Sequence, residues 1–131
     1  MSTEQTLLPL AKQAAERAYT PYSKFSVGAA ITTKQGDTIL GCNVENAAYP
    51  VTLCAERNAI TTAVVNGARP GDITEVVIFV DTDEVASPCG ACRQVMSEFM
   101  SQQAKVTSFN GKGQSKTWTV AELLPDSFTL L

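Results

Sequence analysis

Histidine is missing altogether from these 131 residues. A transition-metal site in this chain must therefore be built from sulfur and carboxylate alone. Basic charge is in short supply too, with 10 Lys plus Arg against 13 Asp plus Glu and a formal charge of −3. That balance lacks the electrostatic footprint that phosphate backbones demand, which disfavours a nucleic-acid polymer as partner and favours a small uncharged substrate. No apolar run approaches the length of a membrane span, and Met1 to Glu4 lacks the basic-then-apolar order of a secretory signal. A cytoplasmic protein with no membrane partner is the expectation. Cysteine is limited to four residues. Without a secretion signal these point to metal binding or redox chemistry before disulfides.

What is present is enough apolar material, 44% of residues, to close one hydrophobic core but not two, so residues 1–131 are expected to form one domain. Between Thr6 and Tyr19, Leu7, Leu10, Ala11, Ala14, Ala15 and Ala18 recur at helical spacing. Pro9 is tolerable there only near the first turn. Val27 to Thr33 and Thr38 to Val44 read as two strands around Lys34-Gln35-Gly36-Asp37. Leu53 to Asn66 reads as a helix that stops at Gly67, Val76 to Val80 as a buried strand, and Cys89 to Met100 as a further helix. Lys105 to Phe109 and Lys116 to Val120 flank a glycine-containing turn as a last hairpin. A three-layer α/β/α fold with a mixed five-stranded sheet satisfies this order, both central helices starting from loops at one sheet end.

The strongest chemical signal is Pro88-Cys89-Gly90-Ala91-Cys92, two thiols three residues apart at the opening of a predicted helix. Alone it fits a redox pair, half of a structural zinc site, or two buried thiols. Cys54-Ala55-Glu56 adds a third thiol at the start of the other central helix. Two helix N-termini converging on one metal would offset the formal charge of a three-thiolate zinc site, with Arg57 beside it. Cys42 sits in a predicted strand and reads as a packed thiol rather than a fourth ligand. An open coordination position follows, which is the mark of a catalytic rather than a structural site. Glu56 lies about 200° around an ideal helix from Cys54, so it does not share the metal but can reach a water held there.

Cys54-Ala55-Glu56 followed by Pro88-Cys89-Gly90-Ala91-Cys92 resembles the signature of the zinc deaminases that act on nucleobases. With Cys where the commoner pattern has His, it is similar to the small homotetrameric cytidine deaminases. The resemblance extends through Tyr22-Ser-Lys-Phe25-Ser-Val-Gly-Ala29, Asn43-Val-Glu-Asn-Ala-Ala-Tyr49 and Leu123-Leu-Pro-Asp-Ser-Phe128. It implies one Zn²⁺ per subunit on Cys54, Cys89 and Cys92, and Glu56 as the proton carrier that activates zinc-bound water for attack on C4 of cytidine or deoxycytidine. It implies substrate contacts from Phe25, Asn43, Val44, Glu45, Tyr49 and Ala55, and from Phe128 reaching a neighbouring subunit's pocket. Arg57 is expected to moderate the electron density that three thiolates place on the metal. The rivals are a deaminase of the same architecture for an aminonucleoside antibiotic or for a polymer, a purely structural zinc module, and a redox protein.

Overall fold

A computed structural model describes residues 3–130, as four α-helices, five strands and one 3₁₀ turn. Helix α1 (Thr3–Ala15) is followed by the hairpin β1 (Val27–Thr33) and β2 (Thr38–Cys42). The 3₁₀ turn (Tyr49–Val51) precedes α2 (Ala55–Val65), then β3 (Ile73–Val80), α3 (Gly90–Phe99), β4 (Met100–Phe109), β5 (Ser115–Thr119) and the short α4 (Val120–Leu123). The sheet order is β2-β1-β3-β4-β5. Only β3 and β4 pair in parallel, joined through α3, so the expected mixed five-stranded sheet is the one observed.

Side-chain alternation along the strands sorts the core into two layers. Ala30, Val77, Phe79 and Phe109 face α1, where Leu7 and Ala11 complete a small cluster. Ala29, Ile31, Val76, Ile78, Val80 and Val106 face the other way, onto Ala55, Ala59, Ile60, Cys92 and Met96 of the α2 and α3 layer. Two strand glycines let helices approach this closely. A Cβ on Gly28 would overlap the carbonyl oxygen of Ala11 in α1, and one on Gly41 would overlap that of Ala55 and lie 2.6 Å from the amide nitrogen of Ala59. Each helix backbone therefore rests directly on a strand backbone.

Boundaries differ from the sequence reading where tertiary packing decides them. Helix α1 starts at Thr3 and ends at Ala15, so Pro9 lies in its interior on an exposed face. Burial of Leu7, Ala11 and Ala14 against the sheet sustains the helix across the missing amide hydrogen. Strand β2 ends at Cys42, and Val44 instead bridges Tyr19 on one side and Leu53 on the other. Helix α4 was not anticipated. It is held by a capping box in which the Thr119 hydroxyl accepts from the Glu122 amide while the Glu122 carboxylate accepts from the Thr119 amide.

Candidate active site

Strand direction brings the chemistry to one sheet end. β2 and β3 both run antiparallel to the strand between them, β1, so their carboxyl ends and the start of β1 lie together. The loop after β2 delivers Cys54 as N-cap of α2, and the loop after β3 delivers Cys89 as N-cap of α3, on the same face of the sheet. This is where open α/β sheets build sites, because loops diverge there and helix N-termini point inward.

The sulfurs of Cys54, Cys89 and Cys92 lie within 4.8 Å of one another, with Cys54 and Cys89 3.7 Å apart. Tetrahedral thiolates about 2.3 Å from a zinc ion stand about 3.8 Å from each other, so the spacing fits that metal. Among the described residues no further Cys, Asp or Glu joins the group. Cys42 stands apart, its sulfur 3.6 Å from the Arg17 carbonyl. Three protein ligands are the donor set of a zinc site with one position left for a reactant.

The cluster is poised to take a cation. The Cys54 thiol is drawn down to about 5, first because it accepts from Cys92 and further by Arg57, against the cost of burial. Arg57 places Nη2 3.2 Å from the Cys54 sulfur. The Cys92 thiol is pushed far up, since it donates its proton to the Cys54 sulfur and lies in a buried setting beside Glu56. One sulfur is thus anionic at neutral pH and another retains a proton that a metal would displace.

Glu56, only 5% exposed, lies in the first turn of α2 at a cavity of about 180 Å³ shared with Cys54, Cys89, Phe25, Asn43 and Ala55. Burial pushes its carboxyl up to about 6, with the negative charge on Cys54 adding to the rise. It is therefore largely ionised at pH 7 yet easily protonated, which suits a group that takes and returns a proton.

The remaining sequence-predicted residues divide between two neighbouring cavities and the surface. Phe25, Asn43 and Ala55 line the first cavity. The Asn43 amide bridges the start of β1, its oxygen accepting from the Val27 amide at 2.9 Å and its nitrogen donating to the Phe25 carbonyl at 2.7 Å. Glu45 and Tyr49 line a second cavity of about 420 Å³ with Tyr22, Ser23 and Thr52, where the rings of Tyr22 and Tyr49 meet edge to face at 6.1 Å. Val44 is exposed, and Phe128, 70% exposed, stands outside both cavities with its carbonyl accepting from Gln94 Nε2.

Two residues that the sequence reading did not single out hold this site in shape. Arg93, next to Cys92, donates Nε to the Pro88 carbonyl and Nη1 to the Leu123 carbonyl, tying the cysteine loop to α4. Asn58 donates to the Cys42 carbonyl at 2.7 Å and anchors α2 to the end of β2. An Asn inside a helix is a poor helix former, and that was the available signal.

Fold and site together define an α/β/α metalloprotein with a three-thiol metal centre beside a buried carboxylate. Residues 1–108 match the family model described as the cytidine and deoxycytidylate deaminase zinc-binding region, and the chain belongs to that family. The cytidine deaminase of Halalkalibacterium halodurans is 47% identical over 125 residues, 95% of this chain and 93% of the relative. That of Sporosarcina psychrophila is 46% identical over 125 residues, covering 95% and 90%. The crystal structure of cytidine deaminase from Burkholderia pseudomallei superimposes with a TM-score of 0.93 at 43% identity, covering 98% of this chain and all of that one.

Proposed function

We propose that this chain is a zinc-dependent cytidine deaminase that hydrolyses cytidine and deoxycytidine to uridine and deoxyuridine, releasing ammonia, in pyrimidine salvage. The observation that carries the reading is the buried Glu56 carboxyl opening on the same small cavity as the Cys54 and Cys89 thiols. Zinc on Cys54, Cys89 and Cys92 supplies the Lewis acidity that makes water a nucleophile near neutral pH. Glu56 takes a proton from that water as its oxygen adds to C4 of the base, and delivers it to N3. Glu56 then passes the proton of the new C4 hydroxyl to the 4-amino group, so that the C4–N bond breaks and ammonia leaves. Arg57, through its hydrogen bond to Cys54, withdraws charge from one thiolate and keeps the centre electrophilic.

The base lies against Phe25 and Ala55, and the ribose is directed to Asn43, Val44 and Glu45. Asn43 retains one amide hydrogen and Glu45 one acceptor site beyond the bonds they make within the chain. The functional unit is a homotetramer in the cytoplasm. Support comes from exposed apolar side chains around the two cavities, Tyr49 at 69% and Phe25 at 44%, which a neighbouring subunit carrying its own Phe128 and Tyr49 would cover. Free thiols in the metal cluster suit a reducing compartment. Among the described residues no helix is long and apolar enough to cross a membrane.

The test is the loss of ultraviolet absorbance as cytidine becomes uridine, run beside deoxycytidine, cytosine, adenosine and blasticidin S, before and after chelation. Turnover of the two cytosine nucleosides that disappears on chelation and returns with zinc supports the reading. Turnover of blasticidin S alone, or of none of the panel, contradicts it.

A further inference from the structure

The turn Tyr22-Ser23-Lys24-Phe25 carries an aromatic of the proposed nucleoside pocket, yet it belongs to no strand and Lys24 adopts φ +62°. A non-glycine residue in the left-handed region is held there by its surroundings. Here the surroundings are polar. Glu45 Oε1 accepts from the Tyr22 amide at 3.0 Å and from the Ser23 amide at 3.1 Å, and Oε2 accepts from the Ser23 hydroxyl. The same Ser23 oxygen accepts from the Phe25 amide at 3.0 Å. On its other side, the Phe25 carbonyl accepts from Asn43. The backbone of Phe25 is thus fixed at both ends by side chains tied to the segment Asn43–Glu45.

We propose that Ser23 is a positioning residue of the nucleoside pocket, its single hydroxyl locking the Phe25 turn to the Glu45 carboxylate. The inference rests on the functional reading above and extends it to a residue outside the metal centre. The hydroxyl uses its one donor on Glu45 and an acceptor site on Phe25, so removing it frees Glu45 Oε2 and the Phe25 amide at once. The Glu45 carboxyl, held below the usual carboxylate range first of all by this hydroxyl, would keep its charge and the Tyr22 and Ser23 amide donors on Oε1 but lose the bond that fixes Oε2. Cys54 and Glu56 stand on α2 and make none of these bonds, so the effect falls on binding and not on the chemical step.

Ser23→Ala is therefore expected to raise the KM for cytidine about tenfold, what one hydrogen bond to a charged group is worth, with kcat within about twofold. The affinity for uridine should fall by the same factor. Amide exchange at Phe25 should quicken, and Ser23→Thr, which keeps the hydroxyl, should restore most of the loss. A Ser23→Ala enzyme with unchanged KM and uridine affinity, a loss confined to kcat, or a Thr variant as impaired as the Ala variant overturns the proposal. If the unaltered protein turns over no cytidine, the functional reading fails, and with it the role in nucleoside binding. Phe25 exchange that does not change in Ser23→Ala overturns the lock itself, whatever the substrate.

Discussion

Replacing Gly41 by Ala tests how the metal centre is placed. The added methyl would overlap the Ala55 carbonyl oxygen and lie 2.6 Å from the Ala59 amide nitrogen, where ordinary contact begins at 3.4 Å. Both neighbours are backbone atoms of α2, fixed by the helix's own hydrogen bonds, so no side chain can rotate away. To bring the tighter of the two, the Ala55 oxygen, back to ordinary contact the helix must lift by about 1.1 Å. Overpacking of this kind costs roughly 1–3 kcal/mol, and a backbone-on-backbone clash belongs at the upper end. For a chain of this size about 3 kcal/mol lowers Tm by about 10 °C. Cys54 and Glu56 ride on the lifted end, and a misplacement of about 1 Å costs on the order of a hundredfold in rate. Calorimetry, zinc titration and the absorbance assay on Gly41→Ala would read all three effects. Val65→Ala, an exposed change at the far end of the same helix, should stay within about 0.5 kcal/mol of the parent. A Gly41→Ala protein with parental Tm, zinc affinity and kcat/KM would refute the placement of α2 directly on β2.

Metal removal and pH give further checks. Because the Cys92 proton is held so firmly, zinc binding at pH 7 should release at least that proton, and apparent affinity should rise with pH. Calorimetry in buffers of different ionisation enthalpy measures the release, and a proton-neutral association would contradict the sulfur assignment. Conversely, Cys54, depressed to about 5, keeps its charge and its bond from Arg57 down to that pH in the metal-free protein. Stability from the hydrogen bonds that Cys92 and then Arg57 make to this thiolate is present above the thiol's ordinary value and is lost as pH falls through about 5, visible as a falling Tm of the apoprotein. Arg57→Ala should lower kcat or speed zinc loss to a chelator, and parental values for both would reduce Arg57 to a bystander. Thr119→Ala should cost about 1 kcal/mol and several degrees of Tm through the lost capping box, with zinc content unchanged.

The metal centre was legible because its information is local. Two Cys at one helix start and a third at another need only the fold to bring helix N-termini together, and the order of helices and strands pointed to a mixed sheet with helices on both faces. What was hidden depends on contacts distant in sequence. The glycines at 28 and 41 were unremarked within strands, although a glycine inside a strand often marks a close backbone approach. The Thr119-x-x-Glu122 capping box stood in the sequence but was absorbed into a predicted strand reaching Val120. Pro9 was expected near a helix start, and burial of Leu7 and Ala11 carried the helix through it instead. Glu45 was assigned to the sugar by resemblance, and nothing in its own neighbourhood foretold that three donors from residues 22 and 23 would converge on it.

The proposed division of roles has the Glu56 carboxyl move the protons while the three thiols hold the metal. It is tested most directly by the cytidine turnover rate of Glu56→Gln at a verified one zinc per chain. In that variant kcat is expected to fall on the order of a thousandfold or more with zinc retained. A zinc-loaded Glu56→Gln enzyme that deaminates cytidine at the parental rate would contradict it.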